Sequence, residues 1–375
     1  MSTIYIHWPF CLSKCYYCDF NSMPCNGKID FRKWFDAYLK VLLAFKDEFY
    51  KGEMITSVYF GGGTPSLLPS WFVSDLLNEI RNHFRLSDNA EITLEANPKT
   101  INKSKASELK KAGINRLSIG VQSIIDEDLK MLGRIHSAAE AKACVFEMSE
   151  IFENLSIDMI YNRPGQKLDS WRNELSEVLC YPINHISLYE LIVEPGTKME
   201  SMINSGSLPK PNKSSKFFET TIETAKNHGF EMYEVSNFAK DKHYGKHNLS
   251  YWKYEDYYGI GPESHSRVSI NGQKIAISQI SDNSKWLDWA ENPVFDEEKL
   301  SEEDVFKEKL IMGLRSKCGI NINDFSPIIQ NKHHLQKKIR KLRENSYIME
   351  NMGHVFLTYD GIMRLNLIVQ YLVED

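Results

Sequence analysis

The stretch Tyr5-Ile6-His7-Trp8-Pro9-Phe10-Cys11-Leu12-Ser13-Lys14-Cys15-Tyr16-Tyr17-Cys18-Asp19-Phe20 decides how this chain is read. Its opening, rich in β-branched and aromatic residues, predicts a strand over 3–7. Straight after that strand come Cys11, Cys15 and Cys18 in CxxxCxxC spacing. Three thiolates on one tight loop can reach three corners of an iron–sulfur cubane. Such clusters usually take four protein thiolates, so three leave one iron open to an outside ligand. An open iron suits the amine and carboxylate of a methionine-type ligand, whose sulfonium C–S bond a low-potential cluster can cleave by one electron. Structural zinc sites usually pair CxxC units and close at four ligands, and no second CxxC is present.

Outward from this loop, short β-branched or aromatic runs at 3–7, 57–60, 91–95, 116–119, 156–160 and 185–191 alternate with helix-like segments. Those segments are 31–50, 71–84, 104–112, 127–132, 138–151 and 168–179. Repeated βα units with right-handed crossovers predict an α/β fold, an open, partial (β/α)6 barrel with helices outside. Chemistry in such barrels sits at the C-terminal strand ends. The cysteine loop, Gly61-Gly62-Gly63-Thr64-Pro65, Glu95, Gln122 and Asp158 all fall at or near those ends, and the last strand finishes near Tyr189 and Glu190.

Three regions are expected: the barrel over 1–230, a Tyr- and His-rich segment over 231–284, and a small α+β winged-helix-like domain over 285–375. In the last, helices near 302–314 and 334–345 precede a hairpin turning at 351–353, and a final helix runs from 360 towards 373. The basic run 332–343 carries Leu335, Ile339 and Leu342 at helical spacing. It therefore reads as a helix with a solvated cationic face rather than a nucleic-acid site.

The 375 residues carry a formal net charge of −5, so no global field attracts polyanions. The N-terminus lacks the cationic and apolar regions of a secretory signal, and no apolar run reaches the ~18 to 20 residues of a membrane helix. A cytoplasmic protein is expected. Seven cysteines, an odd number with four between 11 and 25, suit metal binding in a reducing compartment better than disulfides. Cys25 is expected as a free surface thiol, and Cys144, Cys180 and Cys318 as small buried hydrophobes.

The opening stretch, GGGTPS at 61–66, LEANP at 94–98, SIGVQS at 118–123, LGRIH at 132–136 and KHNLSYW at 246–252 occur in one order. In that order they resemble the radical SAM family that contains oxygen-independent coproporphyrinogen III oxidase and the HemW-type heme chaperones. The resemblance weakens after about residue 285. It implies a [4Fe–4S] cluster on Cys11, Cys15 and Cys18, and S-adenosylmethionine (SAM) beside it. Gly62, Gly63 and Thr64 would hold the methionine part of SAM, with Gln122, Arg134 and Asp158 lining the same space and Tyr5 and Tyr17 touching it. A strand-end carboxylate such as Glu95 can accept from an amine or from ribose hydroxyls. Asp158, in an apolar strand, needs a partner.

Two features favour the chaperone branch. Phe20 stands where the oxidases have a further cysteine, and HNLSYW fits the chaperones' HNxxYW. The resemblance implies heme contact at His247, with His243 and His265 as neighbouring alternatives and Tyr244, Tyr254, Tyr257 and Tyr258 as apolar walls. On the residues alone, a turn in which His247 and Asn248 satisfy backbone groups is the favoured reading. The implied partners are heme, heme-accepting proteins and an electron donor, and an exposed heme face would support a homodimer. The rivals are a coproporphyrinogen III oxidase or another radical SAM enzyme, such as a methyltransferase. Departures from the family pattern at Asn162-Arg163-Pro164 and at Glu263 and Ser266 replace glycines and predict reshaped loops.

Overall fold

The computed structural model describes residues 1–25, 27–212, 215–321 and 333–374, with the backbone alone at 333 and 334. Six parallel strands, β1 (Ser2–Trp8), β2 (Ile55–Gly62), β3 (Leu86–Ala96), β4 (Arg116–Gln122), β5 (Asn154–Tyr161) and β6 (His185–Glu190), pair in chain order within one sheet. Between and beyond them lie α1 (Phe31–Phe49), α2 (Ser70–His83), α3 (Lys103–Ala112), α4 (Asp126–Met131), α5 (Ala138–Ser149), α6 (Leu168–Val178), α7 (Lys198–Asn204) and α8 (Lys216–Asn227).

Local chemistry explains these helices. In α1, Trp34, Tyr38, Val41, Leu42, Phe45 and Phe49 recur at helical spacing and are buried, and the Asp30 side chain accepts from the Lys33 amide to cap the first turn. Helix α3 stops at Gly113, whose φ of 117° is left-handed. Ser137 and Glu140 close a capping box on α5.

The Tyr- and His-rich segment is part of the sheet rather than a region apart. Strands β7 (Glu231–Glu234) and β8 (Asn237–Ala239) extend the β6 edge antiparallel. After α9 (Lys246–Trp252), β9 (Asp256–Ile260) crosses to the other edge and pairs parallel with β1. Strands β10 (His265–Ile270), β11 (Gln273–Ser278) and β12 (Asp296–Lys299) continue antiparallel to complete a 12-stranded sheet. None of these added strands exceeds six residues, too short for a periodic signal against an aromatic background.

Helix α10 (Asn283–Trp289) also belongs to the barrel, because Trp286 stacks on Trp34 at 5.7 Å and shares its core with Phe295. The expected boundary at 285 therefore moves to about 300, since a separate core starts at Phe306. That core holds α11 (Glu302–Gly313), β13 (Ile320–Asn321), α12 (His333–Glu344), the hairpin β14 (Ile348–Asn351) and β15 (His354–Leu357), α13 (Tyr359–Ile362) and α14 (Leu365–Val373). Met352 and Gly353, at φ of 50° and 80°, make the hairpin turn that the sequence predicts. The single final helix expected over 360–373 is instead two, α13 and α14. Leu335, Ile339 and Leu342 of the basic run are buried in this core; Lys332 lies outside the described residues. Among the described residues, no helix is long and apolar enough to cross a membrane.

Candidate functional site

At the C-terminal strand ends a cavity of about 450 Å³ is lined by Cys11, Cys15, Cys18 and Tyr17 on one side, with Gly62, Gly63 and Thr64 beside them. Glu95, Gln122, Arg134 and Asp158 line the rest of the same cavity. Every expected residue except Tyr5 and His247 is gathered there. The volume lies within the roughly 300–1,000 Å³ of small-molecule pockets.

The cysteine loop is held from below and behind. Phe10–Cys11 pairs with Met23–Pro24, and the Cys25 amide donates to Cys11 O at 2.7 Å. Arg134 Nη1 lies 3.2 Å from Cys15 Sγ, and Ser22 Oγ 3.7 Å from Cys18 Sγ. All seven cysteines are free thiols. Among the described residues, no three His, Cys, Asp or Glu side chains converge as single-ion ligands would. A cubane takes about one thiolate per iron, so three thiols lining one cavity fit a cluster with one iron left open. Cys25 does not line the cavity, and its Sγ donates to Gly27 O at 3.1 Å. Cys144 is buried as expected, whereas Cys180 is exposed at the end of α6.

The glycine run lines the cavity and also braces the cysteine loop. Its amides do not wait for a ligand: Gly63 N donates to Trp8 O at 2.6 Å and Thr64 N to Phe10 O at 2.9 Å. A Cβ at Gly62, whose φ is 104°, would sit 2.7 Å from the His7 ring, and one at Gly63 2.7 Å from Phe10 O. The glycines let β2 press against the strand that enters the cysteine loop, and so fix that loop.

Glu95 and Asp158 are both half-buried, each bordering the cavity. Tyr59 Oη donates to Glu95 Oε1 at 2.8 Å, and Ser118 Oγ to Asp158 Oδ1 at 3.1 Å. Burial, and then the charge of Asp158, push the Glu95 carboxyl up to about 8. Burial likewise raises Asp158 to about 6, against the opposing pull of hydrogen bonds from Ser187 and Ser118 and of Arg134 and Arg116. Gln122 sits at φ 71°, past a bulge in β4. Its Oε1 and Arg134 Nε are buried without a partner. Buried polar atoms are normally satisfied, so these two orphans mark where a polar ligand would bond. The donor set thus fits a cluster with SAM.

Two of the positions where glycines are replaced adopt left-handed turns: Asn162 has φ 57° and Glu263 φ 59°. Asn162 Nδ2 donates to Glu190 Oε1 at 2.8 Å. Beside it, wholly buried Arg163 pairs with Glu174, and with Asp128 at 3.0 Å. Glu174 also accepts from Ser123 Oγ at 2.6 Å, which ties the β4 and β5 loops together.

Tyr5 and His247 face a second cavity, of about 220 Å³, at the base of the barrel. Helix α9 plugs this end. His247 N donates to Glu91 Oε1 at 3.1 Å, His247 Nδ1 meets Ser57 Oγ at 2.9 Å, and Ser250 Oγ donates to Thr3 Oγ1 at 3.3 Å. The His247 ring stacks on Tyr59 at 4.8 Å and meets Tyr251 edge-on at 5.0 Å. Its Nε2 has no partner, and burial lowers its pKa to about 3. A ring only 2% exposed beside so small a space offers no room for a macrocycle. The expected tyrosine wall does not assemble either. Tyr258 packs on Phe45 in the core, Tyr244 on Tyr233, Tyr257 on Tyr251, and Tyr254 bonds Glu308. His243 and His265 are exposed. Tyr189, recognisable in the sequence only as a strand end, lines both cavities together with Glu95 and Asp158.

Comparison with known proteins agrees with this geometry. The family model of the Radical SAM superfamily matches residues 5–178. The chain is 34% identical to the heme chaperone HemW of Buchnera aphidicola subsp. Schizaphis graminum, over 99% of this chain and 98% of that one. It is 33% identical to radical S-adenosyl methionine domain-containing protein 1, mitochondrial, of Danio rerio, over 96% of this chain and 82% of that one. Coproporphyrinogen III oxidase (HemN) from Escherichia coli, a radical SAM enzyme, shares the fold with a TM-score of 0.84 at 19% identity, covering 99% of this chain and 89% of that one.

Proposed function

The chain belongs to the radical SAM superfamily, in the family of the heme chaperone HemW, and from that premise we propose that it binds heme and passes it to acceptor proteins. In this reading Cys11, Cys15 and Cys18 hold a [4Fe–4S] cluster and the rest of the upper cavity holds SAM. The observation that carries it is the gathering of these thiols with Glu95, Gln122, Arg134 and Asp158 in one cavity, in a chain matched end to end by a heme chaperone. When bound, the pair supplies one-electron chemistry at a sulfonium. The chain's own residues position and enclose. Arg134 braces Cys15 and donates to Gly120 O at 2.5 Å, while Glu95 and Asp158 offer carboxylates to a cation.

Heme binds outside the barrel in this proposal, because His247 is sealed in the base; exposed His243 and His265 are the candidate ligands. An electron donor approaches the cysteine loop, where Leu12, Phe20 and Met23 are exposed, and an exposed heme face supports a homodimer. Free thiols throughout support a reducing, cytoplasmic setting. Fold alone does not select chaperone over oxidase. Product analysis with coproporphyrinogen, SAM and reductant separates them, since protoporphyrinogen formation would make the chain an oxidase.

The test is anaerobic heme titration of cluster-reconstituted protein, followed by absorbance. Saturable binding that survives His247→Ala and weakens in His243→Ala or His265→Ala supports this placement. Loss in His247→Ala alone, with the variant folded, would return the ligand to α9. No saturable binding would remove heme delivery and leave the cluster assignment standing.

A further inference from the structure

The lower cavity is distinct from the one that the cysteines line, although Glu95, Asp158 and Tyr189 border both. It lies beneath Glu95, Asp158 and Tyr189, which separate it from the cysteine loop, and α9 closes it from below. Two buried polar atoms on its wall have no partner, Thr93 Oγ1 on β3 and His247 Nε2 on α9. Thr93 is 1% exposed and His247 2%, so bulk water satisfies neither. Buried groups of this kind cost about 1–3 kcal/mol each when left unpaired.

Charge identifies what is missing. Three carboxyls line the cavity, Glu91, Glu95 and Asp158, against one cation, Arg116. Arg116 is committed to Glu91 at 3.6 Å, and the other Glu91 oxygen takes the His247 amide. Glu95 and Asp158 form no ion pair among the described residues, although Arg116 and Arg134 draw on Asp158 through space. Arg134, which faces Asp158 from above, is committed to Cys15 and Gly120. Burial raises the pKa of both carboxyls, and for Glu95 the neighbouring Asp158 adds to the rise. The rings of Tyr5, Tyr59, Tyr189 and Tyr251 complete the walls, and aromatic faces attract cations. An anion would meet two carboxyls here that carry no ion pair.

We infer that the base of the barrel binds a compact organic cation carrying N–H donors, of the alkylammonium class, between the Glu95–Asp158 ceiling and the Thr93 and His247 wall. The inference shares Glu95 and Asp158 with the SAM reading but does not depend on SAM being bound.

The probe is ethylammonium, titrated calorimetrically into cluster-reconstituted protein with and without saturating SAM. Tetramethylammonium, equal in charge but without N–H donors, and potassium are the controls. Saturable binding of ethylammonium alone is expected in both series. Thr93→Val should weaken it about tenfold, the value of one hydrogen bond to a charged group, and Thr93→Ser should restore it. Unchanged cluster absorbance and SAM affinity in Thr93→Val report that the variant is folded. No saturable binding, or binding indifferent to Thr93→Val, overturns the inference and leaves a cavity that holds water only. Ethylammonium binding in a protein that fails to bind SAM would uphold the inference and remove the SAM reading instead.

Discussion

The two cavities are stacked in one barrel and built in opposite ways. The upper one is made of loops at the C-terminal strand ends, where contiguous strings of sequence supply the thiols and the glycine brace. The lower one is made of single residues from the starts and middles of strands, closed by a helix that arrives almost 190 residues after the strand it bonds. The upper cavity is arranged around an added group and has little to do with holding the barrel together. The lower one contains polar contacts on which the barrel's own closure depends. Ligand sites and structural polar networks thus sit within one strand length of each other, and mutation should tell them apart.

The largest separation is expected at the cysteines. Cys11→Ala, Cys15→Ala or Cys18→Ala should abolish cluster loading, read as iron content and visible absorbance, while the apo-protein's melting temperature stays close to wild type. A fall in apo-protein stability comparable to that of a base variant would break the distinction. In the base, Arg116→Leu leaves Glu91 buried and unpaired, and should cost about 3–5 kcal/mol in denaturant unfolding. Cluster loading of whatever remains folded should persist.

His247→Ala removes the hydrogen bond to Ser57 and leaves a gap between Tyr59 and Tyr251, for an expected loss of about 2 kcal/mol with heme binding retained. The smallest effect is one of slope. Glu95 and Asp158 have folded pKa values above their unfolded ones, so the folded apo-protein holds more protons than the unfolded chain. Their contribution is fully present below about pH 4, is lost as pH rises through about 6 for Asp158 and about 8 for Glu95, and amounts to at most about 1.4 kcal/mol per pH unit for each proton. Glu95→Gln should flatten the upper part of that decline in urea midpoints measured from pH 5 to 9; an unchanged slope would mean that Glu95 titrates as an exposed acid.

The same contrast explains what was legible in the sequence. The barrel strands and the upper site announce themselves because hydrophobic runs end in cysteine, glycine or a carboxylate, one after another. The lower site has no such string. Thr93, Arg116, Ser156 and His185 are isolated polar residues inside strands, indistinguishable from buried structural polar groups until the sheet curves and brings them together. His247 was visible as a residue but not as a position, because spacing says nothing of which way a seven-residue helix faces. The added strands β7 to β12 were missed for want of length. The loops at Asn162 and Glu263 show a further limit: both take left-handed turns without glycine, and Glu190 helps to hold Asn162.

Helix α9 also sets a clock on assembly. Its contacts join Thr3 to Ser250 and Ser57 to His247, and β9 lines up Ser2 with Asp256, so both the floor and the outer edge beside β1 wait for chain made some 250 residues later. Closing such loops is slow, and a growing chain therefore carries its first strands exposed at an open base and edge through most of synthesis. The interval before residue 260 is the period when the nascent protein is most open to aggregation through its unpaired β1 edge.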